Sequence, residues 1–186
     1  MRVLVIGATG GSGRQLVAQA LERGYQVTAL VRNPARLPAR SAGLSVVVGD
    51  VLDPPSVVAA VKGQDAVLSA LGHKRWFYPN RILSEGTRTI LAAMAGQGVR
   101  RFICETALGI GGAWWRMGLS YTLLVRPFVL PFYFSDKVRQ EALIRASGLD
   151  WTIVRPGVLT NGPRLGTYRH WPDRGALAVD GALEWR

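Results

Sequence analysis

The chain has 186 residues, 48% of them hydrophobic and 19% charged, with a formal net charge of +11. That length and balance fit one globular domain with a sizeable core, and the single cysteine, Cys104, excludes an internal disulfide and agrees with a cytoplasmic location. Of the 23 basic residues all but Lys62, Lys74 and Lys137 are arginines, scattered without a block of five or six and without zinc-finger or RNA-binding spacing, so no nucleic-acid partner is expected.

Met1-Arg2 runs directly into the apolar stretch Val3-Leu-Val-Ile6, which reads as a buried parallel strand and leaves no room for a signal peptide. Behind it stands Gly7-Ala-Thr-Gly10-Gly-Ser-Gly13, spaced G-x-x-G-x-x-G. The first glycine permits a tight turn out of the strand. The second lets the backbone approach a pyrophosphate, and the third lets the next helix pack close to the sheet. A helix over 12–23 follows, with Leu16, Val17, Ala20 and Leu21 on one face. Its N-terminal N–H groups and dipole would face phosphates.

A second strand over 25–31 ends in Val31-Arg32-Asn-Pro-Ala-Arg36. A site for NAD usually carries Asp or Glu near this end, for the ribose hydroxyls. Here Arg32 takes that place and Arg36 follows one turn later. A guanidinium grips a 2′-phosphate in a bidentate way, so the residues favour NADP(H) over NAD(H).

The chain then alternates. A third strand over 44–48 leads to Gly49-Asp50-Val51, and Asp53 caps a helix that Pro54-Pro55 begin. A fourth strand over 65–71 ends in Gly72-His73. A helix over 82–97 stops at Gly98, a fifth strand covers 101–105, Ser135 caps a helix through Ala146, and a sixth strand covers 151–154. Alternation of this kind predicts an α/β fold, a doubly wound parallel sheet with helices on both faces. Ligands then lie at the carboxyl ends of the strands.

Together with Leu30-Val-Arg32, Val48-Gly-Asp50-Val51 and Ser147-Gly-Leu-Asp-Trp-Thr-Ile-Val-Arg-Pro156, the glycine turn resembles the atypical short-chain dehydrogenase/reductases. Within them the likeness is to the small NmrA-like group and the flavin reductase/biliverdin reductase B type. It covers roughly residues 1 to 165 and implies a Rossmann fold binding NADPH. By that resemblance Gly7, Thr9, Gly10, Gly11, Ser12 and Gly13 hold the pyrophosphate, and Arg32 and Arg36 the 2′-phosphate. Asp50 and Val51 lie beside the adenine, Leu71 and Gly72 flank the nicotinamide ribose, and Pro156 and Val158 lie by the carboxamide. Residues 1–186 are then one NAD(P)-binding domain, monomeric or homodimeric.

Two of these residues keep a second reading. Asp50 either accepts from the adenine amine or only caps its turn. His73, in the same crevice, is either a proton donor or a hydrogen-bonded loop residue.

The wider family pairs Tyr-x-x-x-Lys with a serine on the fifth strand. Tyr133-Phe-Ser-Asp-Lys137 has that spacing, although a helix capped at Ser135 puts Tyr133 ahead of it. Tyr133 is the candidate proton donor, and Lys137 the candidate neighbour of the cofactor. Thr106, after the fifth strand, would offer a hydroxyl to nicotinamide or substrate. Glu105 has no evident use beside a hydride donor and is read as facing away. Cys104 reads as a core thiol.

The stretch 107–134 holds Trp114, Trp115, Tyr121, Phe128, Phe132, Tyr133 and Phe134. It is either substrate pocket or plain core and dimer contact. As a pocket it suits a small flat acceptor such as a flavin, quinone or tetrapyrrole. No membrane span is expected, since 119–134 is only 16 residues long and contains Arg126, Pro127 and Pro131. After Leu159 the chain is short and shows no final helix, which would leave the pocket open. No metal is expected. The functional expectation is an NADPH-dependent reductase, with a non-catalytic NADP(H)-binding sensor as the alternative.

Overall fold

The computed structural model describes residues 1–37, 41–73, 80–108, 110, 131–157, 159–160, 169–173, 176–180 and 183–184. In chain order the elements are β1 (Arg2–Ile6), α1 (Gly11–Glu22), β2 (Gln26–Val31), a short 3-10 turn (Pro34–Arg36), β3 (Leu44–Val48), α2 (Pro54–Val61) and β4 (Ala66–Ser69). Then come α3 (Ile82–Gln97), β5 (Arg101–Glu105), α4 (Pro131–Arg145), β6 (Asp150–Pro156), β7 (Leu159–Thr160), β8 (Arg169–Asp173), β9 (Ala176–Asp180) and β10 (Leu183–Glu184).

Eight strands form one sheet in the order β3-β2-β1-β4-β5-β6-β9-β8. The first six positions follow the Rossmann order, with the reversal between β1 and β4. In β1 alternate side chains go to opposite faces, as a pleated strand requires. Leu4 and Ile6 join Val57, Ile90, Met94 and Ile144 from α2, α3 and α4. Val3 and Val5 join Val17 of α1. Burial on both faces is why these parallel strands read as unbroken apolar runs.

Local signals placed several boundaries. The Asp53 carboxylate accepts from Ser56 N at 3.2 Å at the start of α2. Gly98, at φ +69°, closes α3 in the left-handed conformation that glycine adopts without steric cost. One expectation needs correction. α4 begins at Pro131, not at Ser135, whose hydroxyl donates back to Phe132 O at 2.9 Å inside the helix. The chain after β6 also adds strands: β9 pairs parallel to β6, and β8 closes the edge antiparallel to β9, while β10 pairs with β7 apart from the main sheet.

Candidate dinucleotide site

The glycine turn divides its labour by space. Gly7 has φ +82°, and a Cβ there would lie 2.3 Å from the Ala70 carbonyl oxygen at the end of β4. A Cβ on Gly13 would lie 2.1 Å from Gly7 O. Both positions therefore admit only glycine without backbone movement. Gly10 donates to Gly7 O at 2.9 Å and is exposed, and a Cβ on Gly11 would meet nothing within 4 Å. The open side of the turn lies at Gly10 and Gly11. No acidic residue stands in the first turn of α1, and its first N–H groups have no acceptor within the helix. A phosphate group fits this arrangement.

At the end of β2 the Arg32 side chain is 75% exposed and comes within 3.9 Å of Asp50 Oδ2. Asp50 Oδ1 accepts Leu52 N at 2.9 Å, so this carboxylate caps its own turn. Asn33 organises the 3-10 turn by accepting Ala35 N at 3.0 Å. Arg14 of α1 then donates to Arg36 O at 3.1 Å, tying that turn to the helix that follows the glycines. Arg14 is a residue the sequence reading missed. Its partner lies 22 positions away, and no local pattern marks it.

Val51 and Leu71 come together over α3. A Cβ on Gly86 would lie 2.9 Å from Val51 Cγ1 and 3.1 Å from Leu71 Cδ2. Gly86 thus lets α3 close against the floor of the predicted adenosine region, another role not read from sequence. Gly72 beyond it is exposed, with open space around its Cα. Pro156 is buried at the end of β6, where its carbonyl accepts Leu108 N at 2.8 Å. Val158, and the aromatic stretch from 111 to 130 with Trp114, Trp115, Tyr121 and Phe128, lie outside the described residues.

The end of β5 departs from expectation. Glu105 turns toward the glycine turn, where its Oε1 accepts the Ser12 hydroxyl at 2.9 Å. Burial pushes its carboxyl above the usual carboxylate range, against the Ser12 hydrogen bond and the Lys137 ammonium. Thr106 faces the other way. Its hydroxyl donates to Glu141 Oε1 at 2.8 Å, and Glu141 is clamped by Arg155 Nε at 2.9 Å. This commits the Thr106 hydrogen to the interior rather than to a nicotinamide or substrate. Cys104 is a core thiol, pushed up to about 12 by burial, with Gln140 Nε2 at 3.5 Å from its sulfur.

The redrawn start of α4 puts Tyr133 and Lys137 on one helix, one turn apart. Lys137 Nζ lies 5.2 Å from the centre of the Tyr133 ring, although the lysine is only 2% exposed. His73, at the end of the β4 segment, meets Tyr133 edge-on with ring centres 5.2 Å apart. Asp136 fixes this helix against α3. It is fully buried and accepts Leu83 N at 3.0 Å, Ser84 N at 3.4 Å and the Ser84 hydroxyl. The segments after β4 and at the end of β5 and the first two turns of α4 therefore link His73, Tyr133, Lys137 and Glu105 in a chain of neighbours that ends at Ser12 of the glycine turn.

Fold and site together define a dinucleotide-binding Rossmann protein. A family model described as NAD(P)H-binding matches residues 7–181, and the chain belongs to that family. An uncharacterized sugar epimerase of Bacillus subtilis, YhfK, is 30% identical over 188 residues, with 97% of this chain and 83% of that one covered. An uncharacterized chloroplastic protein of Arabidopsis thaliana is 34% identical over 174 residues, and there the match takes in 89% of this chain but only 61% of the relative. Among solved structures, a short-chain dehydrogenase/reductase of Veillonella parvula in complex with NADP superposes with a TM-score of 0.79 at 19% identity, covering 95% of this chain and 81% of that one. The anaerobilin reductase ChuY of Escherichia coli O157:H7 superposes with a TM-score of 0.77 at 20% identity, covering 96% of both chains. Among the described residues no helix is long and apolar enough to cross a membrane.

Proposed function

We propose that residues 1–186 form one domain that binds NADPH and reduces a flat, conjugated small molecule. The observation that carries this reading is the Tyr133–Lys137 pair, one helical turn apart beside the glycine turn. When bound, the reduced nicotinamide supplies a hydride. The backbone at Gly10 and Gly11 and the Ser12 hydroxyl would hold the diphosphate, with Thr9 beside them. Arg32 and Arg36 would hold the 2′-phosphate, and the absence of an acid after β2 favours the phosphorylated cofactor. Val51, Leu71 and Gly72 would line the adenosine and ribose positions, and Pro156 and Val158 the carboxamide. Tyr133 would donate a proton from its hydroxyl to the reduced acceptor. Lys137, held close to that ring, would lie beside the bound cofactor. The His73 and Tyr133 rings, packed edge to face with centres 5.2 Å apart, supply aromatic surface against which a planar acceptor would pack. The likeness to ChuY, named as an anaerobilin reductase, is in keeping with a reductase reading.

One observation favours the second reading, a NADP(H)-binding sensor without turnover. The Thr106 hydroxyl, the fifth-strand group that would assist the pair, is committed to Glu141. A fluorescence titration with NADPH and NADH separates the readings when flavin mononucleotide, a simple quinone and a linear tetrapyrrole are then added. Tight NADPH binding with loss of the reduced-nicotinamide absorbance supports the reductase. Tight binding with no oxidation by any acceptor supports the sensor. No binding of either dinucleotide refutes both.

A further inference from the structure

One half-buried acid beside the glycine turn, Glu105, has no place in the proposed reaction. Glu105 closes β5, and its Oε1 accepts the Ser12 hydroxyl at 2.9 Å. Ser12 stands in the first turn of α1, where an anion meets the free N–H groups. A serine hydroxyl has one hydrogen to give and two lone pairs to offer. With Glu105 ionised, that hydrogen is spent on the carboxylate. Ser12 then has none for a phosphate oxygen, and the carboxylate charge opposes an arriving anion. With Glu105 protonated, its own O–H donates to Ser12 Oγ, and the Ser12 hydrogen turns outward. The contact survives in both states, and only its direction reverses.

We infer that Glu105 is a positioning residue for the phosphate turn, and that a dinucleotide binds here together with one proton, taken from solvent onto Glu105. The inference rests on the reading above that this turn holds the diphosphate. Burial already favours the protonated carboxyl, opposed by the Ser12 hydrogen bond and the Lys137 ammonium. From α4 the charged group acting on Glu105 is Lys137, with Tyr133 packed on Lys137 and His73 on Tyr133. From α1 it is met by uncharged Ser12. On its own strand Cys104 stays a neutral thiol, held at about 12. Glu141, farther along α4, is balanced by Arg155. A diphosphate adds negative charge next to Ser12, which raises the proton affinity of Glu105 further. By linkage, dinucleotide affinity falls as pH rises through the range where free Glu105 ionises.

The test is calorimetric titration of the full chain with NADH and with NADPH, from the ordinary carboxylate range near about pH 4 up to about pH 9 and in two buffers of different ionisation heat, so that protons taken up are counted directly. The 2′-phosphate of NADPH titrates near pH 6 itself, so NADH is the cleaner probe and the wild type is compared with its variants on the same ligand. The expected result is net proton uptake, at most one per dinucleotide, across the interval in which free Glu105 ionises. Affinity then falls by up to about tenfold per pH unit. Glu105→Gln carries an amide that donates to Ser12 at every pH, and should bind with no uptake and a flat profile for NADH. Ser12→Ala should also lose the uptake. Zero uptake by the wild type throughout, or undiminished uptake by Glu105→Gln, overturns the inference while leaving the cofactor reading intact. Failure of both dinucleotides to bind overturns the cofactor reading itself. The wild-type proton count needs no variant, so it decides the matter even where Glu105→Gln fails to fold.

Discussion

Lys137 Nζ stands 5.2 Å from the centre of the Tyr133 ring, with Asp136 between them in sequence anchoring the helix to the start of α3. If this pair moves the proton, Tyr133→Phe should lower the rate of NADPH oxidation with an active acceptor by roughly 100-fold or more, the usual contribution of a positioned general acid. NADPH affinity should stay within about twofold, because the phenol contributes to the chemical step and not to cofactor binding. An unchanged rate removes Tyr133 from the mechanism.

Arg32 and Asp50 approach to 3.9 Å on the surface, so the guanidinium divides its attention between a carboxylate and any 2′-phosphate. Arg32→Ala should weaken NADPH by about 1–3 kcal/mol, the range for charge-assisted contacts, and leave NADH almost unchanged. Equal losses for both cofactors would sink the assignment. Asp50→Asn keeps an acceptor for Leu52 N while releasing Arg32. An exposed pair is worth about 0–1 kcal/mol, so NADPH should tighten by at most a few-fold in the same titration.

Three glycine substitutions should separate cleanly in chemical denaturation. Gly7→Ala combines a positive φ with a backbone clash at 2.3 Å, and Gly13→Ala puts a methyl 2.1 Å from Gly7 O. Each should cost about 2 kcal/mol or more. Gly11→Ala meets open space and should fall within about 0.5 kcal/mol of wild type, or gain slightly from helix propensity. Losses below about 0.5 kcal/mol at all three would show that the turn is tolerant as a whole.

Glu105 has a pH signature in the apo protein as well. Its folded carboxyl sits above the usual range, so across that interval the native chain holds more protons than the unfolded one. Its contribution to stability therefore declines as pH rises from the ordinary carboxylate range through the raised value, and stays lower above it. Glu105→Gln should melt above the wild type at pH 8 and lose that advantage near pH 4. A difference of about 1 kcal/mol corresponds to roughly 2–4 °C for a chain of this size. A constant offset at both pH values would mean that the effect is packing.

The buried Glu141–Arg155 pair joins α4 to β6 through contacts at 2.9 and 2.5 Å. Glu141→Gln removes the carboxylate that balances Arg155 in the interior, and should cost about 3–5 kcal/mol in urea unfolding. A loss below 1 kcal/mol would mean that water reaches the pair.

What the sequence revealed was what neighbouring residues decide among themselves. The glycine turn, the Asp53 cap and the Gly98 stop each involve a few consecutive positions, and each stands where it was read. Ser135 misled because a serine before a helical run looks like a cap, whereas Pro131 was the start signal. The Ser12–Glu105 hydrogen bond spans 93 positions, and Asp136 reaches Leu83 across 53. No periodicity encodes such contacts, because they exist only once the crossovers have brought the strand ends together. The strands after β6 escaped for the same reason, since their order in the sheet is not their order in the chain.

That last feature has a bearing on how the molecule forms. β8 is made before β9, yet among the described residues of the main sheet β8 pairs only with β9, which lies between it and β6. As the chain leaves the ribosome, the strands from β1 to β6 can assemble while β8 still has no edge to join. Completion waits for residues 176–180, whose arrival joins two segments in one step. The Rossmann half and the last hairpin should thus acquire hydrogen-exchange protection at different times during refolding, the hairpin last.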